Sequence, residues 1–154
     1  MITKPSRIGV LVSLMCLLSA SGASAICAPG IQTARERLAT HDAVFVGRVV
    51  AIRKAKTSAA SAKAEQTPIL LDEVVFEVKV AWKGIHEPRV TTVNMPIFEA
   101  RVVAGGEYLI YAMRQSSDSR LMIMGCGNTK PYSGAADDVE SLGKPEYVSN
   151  RDAS

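Results

Sequence analysis

The chain has 154 residues, 47% hydrophobic and 5% aromatic, with 18 bases against 15 acids and a formal net charge of +3. That length suits one domain, and a charge so close to neutral gives no electrostatic case for nucleic-acid binding. The excess shrinks further once the first 25 residues are set aside, because Lys4 and Arg7 leave with them and 16 bases then face 15 acids.

Residues 1–25 have the three-part form of a secretory signal. Lys4 and Arg7 make a positive start, Ile8 to Leu18 is apolar, and Ala23-Ser24-Ala25 is a small-residue cleavage site. The apolar run is shorter than the roughly 20 residues of a membrane-spanning helix, so no anchor is expected after cleavage. A cut after Ala25 fits the Ala-x-Ala rule and makes Ile26 the first residue; a cut after Ser24 would make it Ala25. The expected location is secreted or periplasmic. Cys16 leaves with the signal, and Cys27 and Cys126 remain. An even cysteine count in an exported chain favours a Cys27–Cys126 disulfide over two separate buried thiols. Closing so long a loop contributes about 4–5 kcal/mol in the chain-entropy account.

Gly30 to Thr40 reads as a short helix, with Ile31, Ala34, Arg35 and Leu38 on one face. Ala43 to Arg53 is rich in Val, Phe and Ile and reads as a strand. Gly47 in its middle marks a bend or a close approach, as in a small barrel. Lys54 to Pro68 is rich in Ala, Ser and Lys, lacks an apolar period, and reads as an excursion between strands.

Ile69 to Trp82 is the clearest strand. Val74, Phe76, Val78, Val80 and Trp82 alternate with Glu73, Val75, Glu77, Lys79 and Ala81, so the first set is expected on the core face. Lys83-Gly84 and Gly105-Gly106 are turns. Further strands are expected at Arg89 to Met95, Glu107 to Arg114 and Leu121 to Cys126, the last two joined through Gln115 to Ser119. Ala135 to Leu142 reads as a closing helix with early acids Asp137 and Asp138, ended by Gly143 and Pro145. Residues 26–145 then form the domain and 146–154 a disordered tail. The fold class is mainly β: a five-stranded, OB-fold-like Greek-key barrel with a short N-terminal helix and a C-terminal helix.

The residues give no case for an enzyme, a cofactor or a metal site of the chain's own. His41 and His86 stand alone at loop edges, each beside an acid, without further ligands at zinc spacing. Walker and dinucleotide-binding glycine patterns are absent from the sequence. The sparse aromatics argue against nucleic acid. An oligosaccharide remains a minor alternative, because fold alone does not fix function.

Several segments occur together in order: Ile26-Cys27-Ala28-Pro29, a helix, Asp42-Ala43-Val44-Phe45-Val46-Gly47-Arg48-Val49, Phe76-Glu77-Val78, Trp82-Lys83-Gly84, Gly105-Gly106-Glu107-Tyr108-Leu109-Ile110-Tyr111-Ala112, and Cys126. This order resembles the tissue inhibitor of metalloproteinases family, in particular short bacterial-type members with only the N-terminal, netrin-like domain. The resemblance spans Ile26 to Leu142. It implies an OB-fold barrel with flanking helices and an inhibitory edge at the mature terminus, here Ile26, Cys27, Ala28 and Pro29. In such inhibitors the first residue is a Cys whose free amine and carbonyl chelate a target protease's zinc. A terminal amine titrates near pH 8 and becomes a neutral donor at modest cost, and a bridge on the same residue holds the chelating atoms in place. This chain departs from the pattern: Ala25 stands where the family places its first Cys, and the mid-chain partner of that Cys is missing too. Chelation would fall to the Ile26 terminus. The expected partner is a zinc metalloprotease, or otherwise an unidentified extracytoplasmic protein bound without inhibition.

Overall fold

The computed structural model describes residues 32–56, 70–94, 100–123, 125 and 129–149. Helix α1 (Ala34–Thr40) is followed by β1 (Ala43–Lys56), β2 (Leu70–Lys83) and β3 (Arg89–Asn94). Strands β4 (Glu107–Arg114), β5 (Leu121–Ile123) and β6 (Thr129–Pro131) come next. A single 3-10 turn (Tyr132–Gly134), helix α2 (Ala136–Leu142) and strand β7 (Tyr147–Val148) complete the order.

Strand β1 pairs antiparallel with β2 along its whole length and with β4 along its first half. The neighbour order β1-β2-β3-β5-β4 therefore returns to β1 and closes a five-stranded barrel, with β3 and β5 the parallel pair. This is the expected mainly-β, OB-like architecture. Closure covers the outer edge of β1 as far as Arg48, while from Val50 to Lys56 the strand pairs with β2 alone among the described residues.

Two apolar layers result. Phe45, Val49, Val74, Phe76, Val78, Ala81, Ile110 and Ile123 fill the barrel, and the Phe45 and Phe76 rings meet edge to face at 5.5 Å. Outside it, Val44, Val46, Trp82, Leu109 and Tyr111 form a wall against Ala34 and Leu38 of α1 and Val139 and Leu142 of α2. Gly47 faces the interior, where an added Cβ would come within 3.1 Å of the Phe76 Cβ and 3.2 Å of the Glu77 carbonyl. The close approach expected there is present.

Phe76 and Trp82 do not share a face. Val46 pairs with Val80 but Gly47 pairs with Val78, so Lys79 is an extra residue on β2. A bulge of this kind reverses the alternation beyond it. Ala81 thus enters the barrel, while Val80 and Trp82 turn to the helical layer. The Trp82 indole N–H donates to the Gly143 carbonyl at 2.8 Å, tying β2 to the end of α2.

Other boundaries shift for local reasons. Helix α1 starts at Ala34 because Thr33 caps it: the Thr33 hydroxyl accepts from the Glu36 N–H, and the Glu36 carboxylate accepts from the Thr33 N–H at 2.7 Å. Its buried face holds Ala34 and Leu38, with Arg37 rather than Arg35 turned inward; Ile31 lies outside the described residues. Lys54 to Lys56 extend β1 instead of opening the excursion, whose residues 57–69 are outside the described set. Strand β5 ends at Ile123. The tail expected from residue 146 instead supplies β7, whose Tyr147 and Val148 face Ala81 and Val80 of β2. The Glu146 and Ser149 N–H groups donate to the Ala81 and Lys79 carbonyls at 2.8 Å each.

Candidate functional site

The stretch expected to carry function, Ile26, Cys27, Ala28 and Pro29, lies outside the described residues, as does Cys126. Their pairing and any chelating geometry therefore stay expectations. The described residues begin at Gln32, and Thr33 closes the first turn of α1 through its capping box with Glu36.

Sequence reasoning missed a slot of about 350 Å³ between the β2–β3 turn, the first half of β3 and the β4–β5 turn. Ile85 and Leu121 are buried at its floor beside the half-buried Val90. Its polar lining includes His86, Glu87, Arg89, Arg114, Ser119 and Arg120. The turn positions its arginines. The Asp42 carboxylate accepts from the Arg114 N–H at 2.6 Å, and the Arg114 guanidinium donates to the Ser119 carbonyl at 3.1 Å. Asp118 accepts from the Arg120 backbone at 3.1 Å and from its Nε at 2.5 Å. The backbone hydrogen bond is the main reason that the Asp118 carboxyl sits below its ordinary titration range, with the Arg120 side chain adding to it. Arg114 and Arg120 bracket the turn in sequence, which was a weak signal. Arg89 joins them only through barrel closure, which no spacing reveals.

A second polar cluster lies between the helices and the barrel. Asp138 of α2 meets Arg37 of α1 at 3.1 Å and Lys130 of β6 at 2.7 Å. The Arg37 guanidinium stacks over Tyr111, and His41 packs its ring edge-on against the same tyrosine at 5.6 Å. His41, at the C-cap of α1, is therefore buried, with only 6% of its surface exposed. Its Nδ1 lies 2.8 Å from the Arg37 carbonyl. Burial is the largest influence and lowers its pKa below 6.5. Burial, followed by the Asp138 charge, pushes the Tyr111 phenol up to about 12. The Tyr111 hydroxyl nevertheless meets no partner at hydrogen-bonding geometry.

Glu77 pairs with Arg48 at 2.7 Å and Lys79 with Glu107 at 2.6 Å, a charged ladder across β2, β1 and β4. Among the described residues no three His, Cys, Asp or Glu side chains gather as metal ligands. Among them also, no helix is long and apolar enough to cross a membrane. No protein-family model and no curated protein matches the chain in sequence.

Proposed function

We propose that the mature chain is an exported inhibitor-like protein that acts on zinc metalloproteases by laying its free terminus, Ile26 to Pro29, into the protease cleft. The observation that supports this reading most is the closed barrel with its 1-2-3-5-4 strand order and helices on one outer face, the framework that the resemblance implies. Only Gly30, Ile31 and Gln32 separate Pro29 from the capped Thr33, so the terminal stretch is tethered closely to a rigid support. A short tether lowers the ordering cost of placing an amine and a carbonyl on a metal. The test is inhibition of a panel of zinc proteases by protein whose native first residue has been verified. Inhibition that disappears on N-terminal acetylation or extension supports the reading; inactivity across the panel defeats it.

A second reading is a non-inhibitory module that binds another extracytoplasmic protein, favoured by the arginine-rimmed slot. Under this reading, acetylated protein still captures its partner.

A further inference from the structure

We propose that the slot beside β3 binds an extended acidic peptide segment of a partner protein, added as a short strand along Arg89 to Thr91. The backbone supplies the first argument. Strand β3 pairs with β2 from Arg89 onward, but with β5 only from Thr92. Its first three residues therefore have a neighbour on one side and the slot on the other. The Val78 N–H donates to the Pro88 carbonyl. Antiparallel alternation from that bond turns the N–H and C=O groups of Arg89 and the N–H of Thr91 away from β2, toward the slot, while the Thr91 carbonyl faces the Leu121 N–H, as the parallel Thr92–Leu121 pairing requires. An open strand edge of this kind is read by another strand's backbone.

The side chains supply the second argument. Arg89 stands on the β3 wall, with Arg114 and Arg120 opposite, and Glu87 is the only carboxylate among the lining residues. Asp118 engages the Nε edge of Arg120 and Ser119 accepts from one nitrogen of Arg114, so both guanidiniums are oriented while keeping further N–H donors. Guanidiniums held in this way suit carboxylates, which they bind through paired donors. The apolar floor of Ile85, Val90 and Leu121 suits alternating apolar side chains between the acidic ones. Phe, Tyr and Trp are absent from the lining and His86 is its single ring, too little to form a platform for successive nucleic-acid bases. The slot thus gives the second reading above a ligand chemistry, and it uses none of the residues on which protease inhibition depends.

The test is a fluorescence anisotropy titration of the full chain with a labelled eight-residue peptide of alternating Glu and Val. Two copies serve as controls, one with Lys for Glu and one N-methylated throughout, and a heparin-derived oligosaccharide serves as a competitor. We expect saturable one-to-one binding of the Glu peptide and at least tenfold weaker binding of the N-methylated and Lys copies. The Arg89→Gln/Arg120→Gln variant, checked for an unchanged thermal melt, should also bind at least tenfold more weakly. Should that variant fail to fold, the N-methylated copy decides the question on the wild-type chain. No binding of the Glu peptide, equal binding of the N-methylated copy, or displacement by heparin at lower concentration than by unlabelled peptide would overturn the proposal. Because no protease enters the assay, its failure leaves the inhibition test standing. Capture of a partner that the Glu peptide does not displace would keep the second reading while removing this site from it.

Discussion

The guanidinium carbon of Arg37 lies 4.8 Å from the centroid of the Tyr111 ring, so a helix cation covers the face of a barrel aromatic. The same arginine reaches Asp138 of the second helix. One side chain thereby joins α1, α2 and β4, with Lys130 of β6 closing the group around Asp138. Replacing Asp138 with Asn removes the anion shared by two cations. The Arg37 and Asp138 side chains are 12% and 18% exposed, so water softens the loss below that of a fully buried pair. A destabilisation of about 2–3 kcal/mol is expected, measured by urea denaturation of Asp138→Asn against wild type; a change under about 0.5 kcal/mol would contradict this account.

Tyr111 should respond in the opposite direction. Its buried hydroxyl has no hydrogen-bond partner, so Tyr111→Phe removes an unsatisfied polar atom while keeping the ring under Arg37. The expected stability change lies between neutral and about 1 kcal/mol stabilising. With the folded pKa near 12 against an ordinary 10.0, the folded state holds this proton more tightly, and stability falls as pH rises through that interval. An alkaline absorbance titration should lose its late-ionising component in Tyr111→Phe.

His41 gives the acid-side counterpart. Its folded pKa is below the ordinary 6.5, chiefly through burial. The unfolded chain therefore binds the proton first, and stability falls as pH drops below about 6.5. Melting temperatures recorded between pH 8 and 5 should decline in wild type and decline less in His41→Gln. Parallel curves for the two proteins would exclude His41 as the source.

Asn94 sits 4% exposed at the end of β3 and makes two hydrogen bonds to Ala100, from its amide to the carbonyl and from the Ala100 N–H to its oxygen, each 2.9 Å. Asn94→Ala leaves both backbone groups of the buried Ala100 without that partner. A loss of about 2–4 kcal/mol is expected. Asn94→Asp keeps the acceptor but sets a carboxylate against the carbonyl, and should not restore stability in a thermal melt at pH 7.

Gly84 has φ +70°, and a Cβ there would lie 2.2 Å from the Asp42 carbonyl oxygen. The obstacle is backbone, so it cannot rotate away. Gly84→Ala is expected to cost at least about 2 kcal/mol, more than the 1–2 kcal/mol that left-handed backbone alone imposes on alanine. Chemical denaturation of the variant checks it.

The barrel was legible because its long strands carry β-branched residues over many positions, and Glu107 to Arg114 emerged with its observed limits. Strands β6 and β7 were not, because two or three residues are too few to show a period; Tyr147 and Val148 are held by β2, not by local preference. The face of Trp82 was misjudged because Lys79 is extra only relative to its partner strand, a fact of pairing rather than of sequence. The burial of His41 was not legible either, because Tyr111, which covers it, lies seventy residues on. Arg89 gave no hint of Arg114 and Arg120 for the same reason.

The extra residue at Lys79 makes β2 a party wall. Phe76 and Val78 below it line the barrel, and Val80 and Trp82 above it line the helical layer. Neither compartment can lose its packing while the other keeps that strand in place. The barrel and its helices should therefore melt in one cooperative transition, with Trp82 fluorescence and far-ultraviolet circular dichroism reporting the same midpoint.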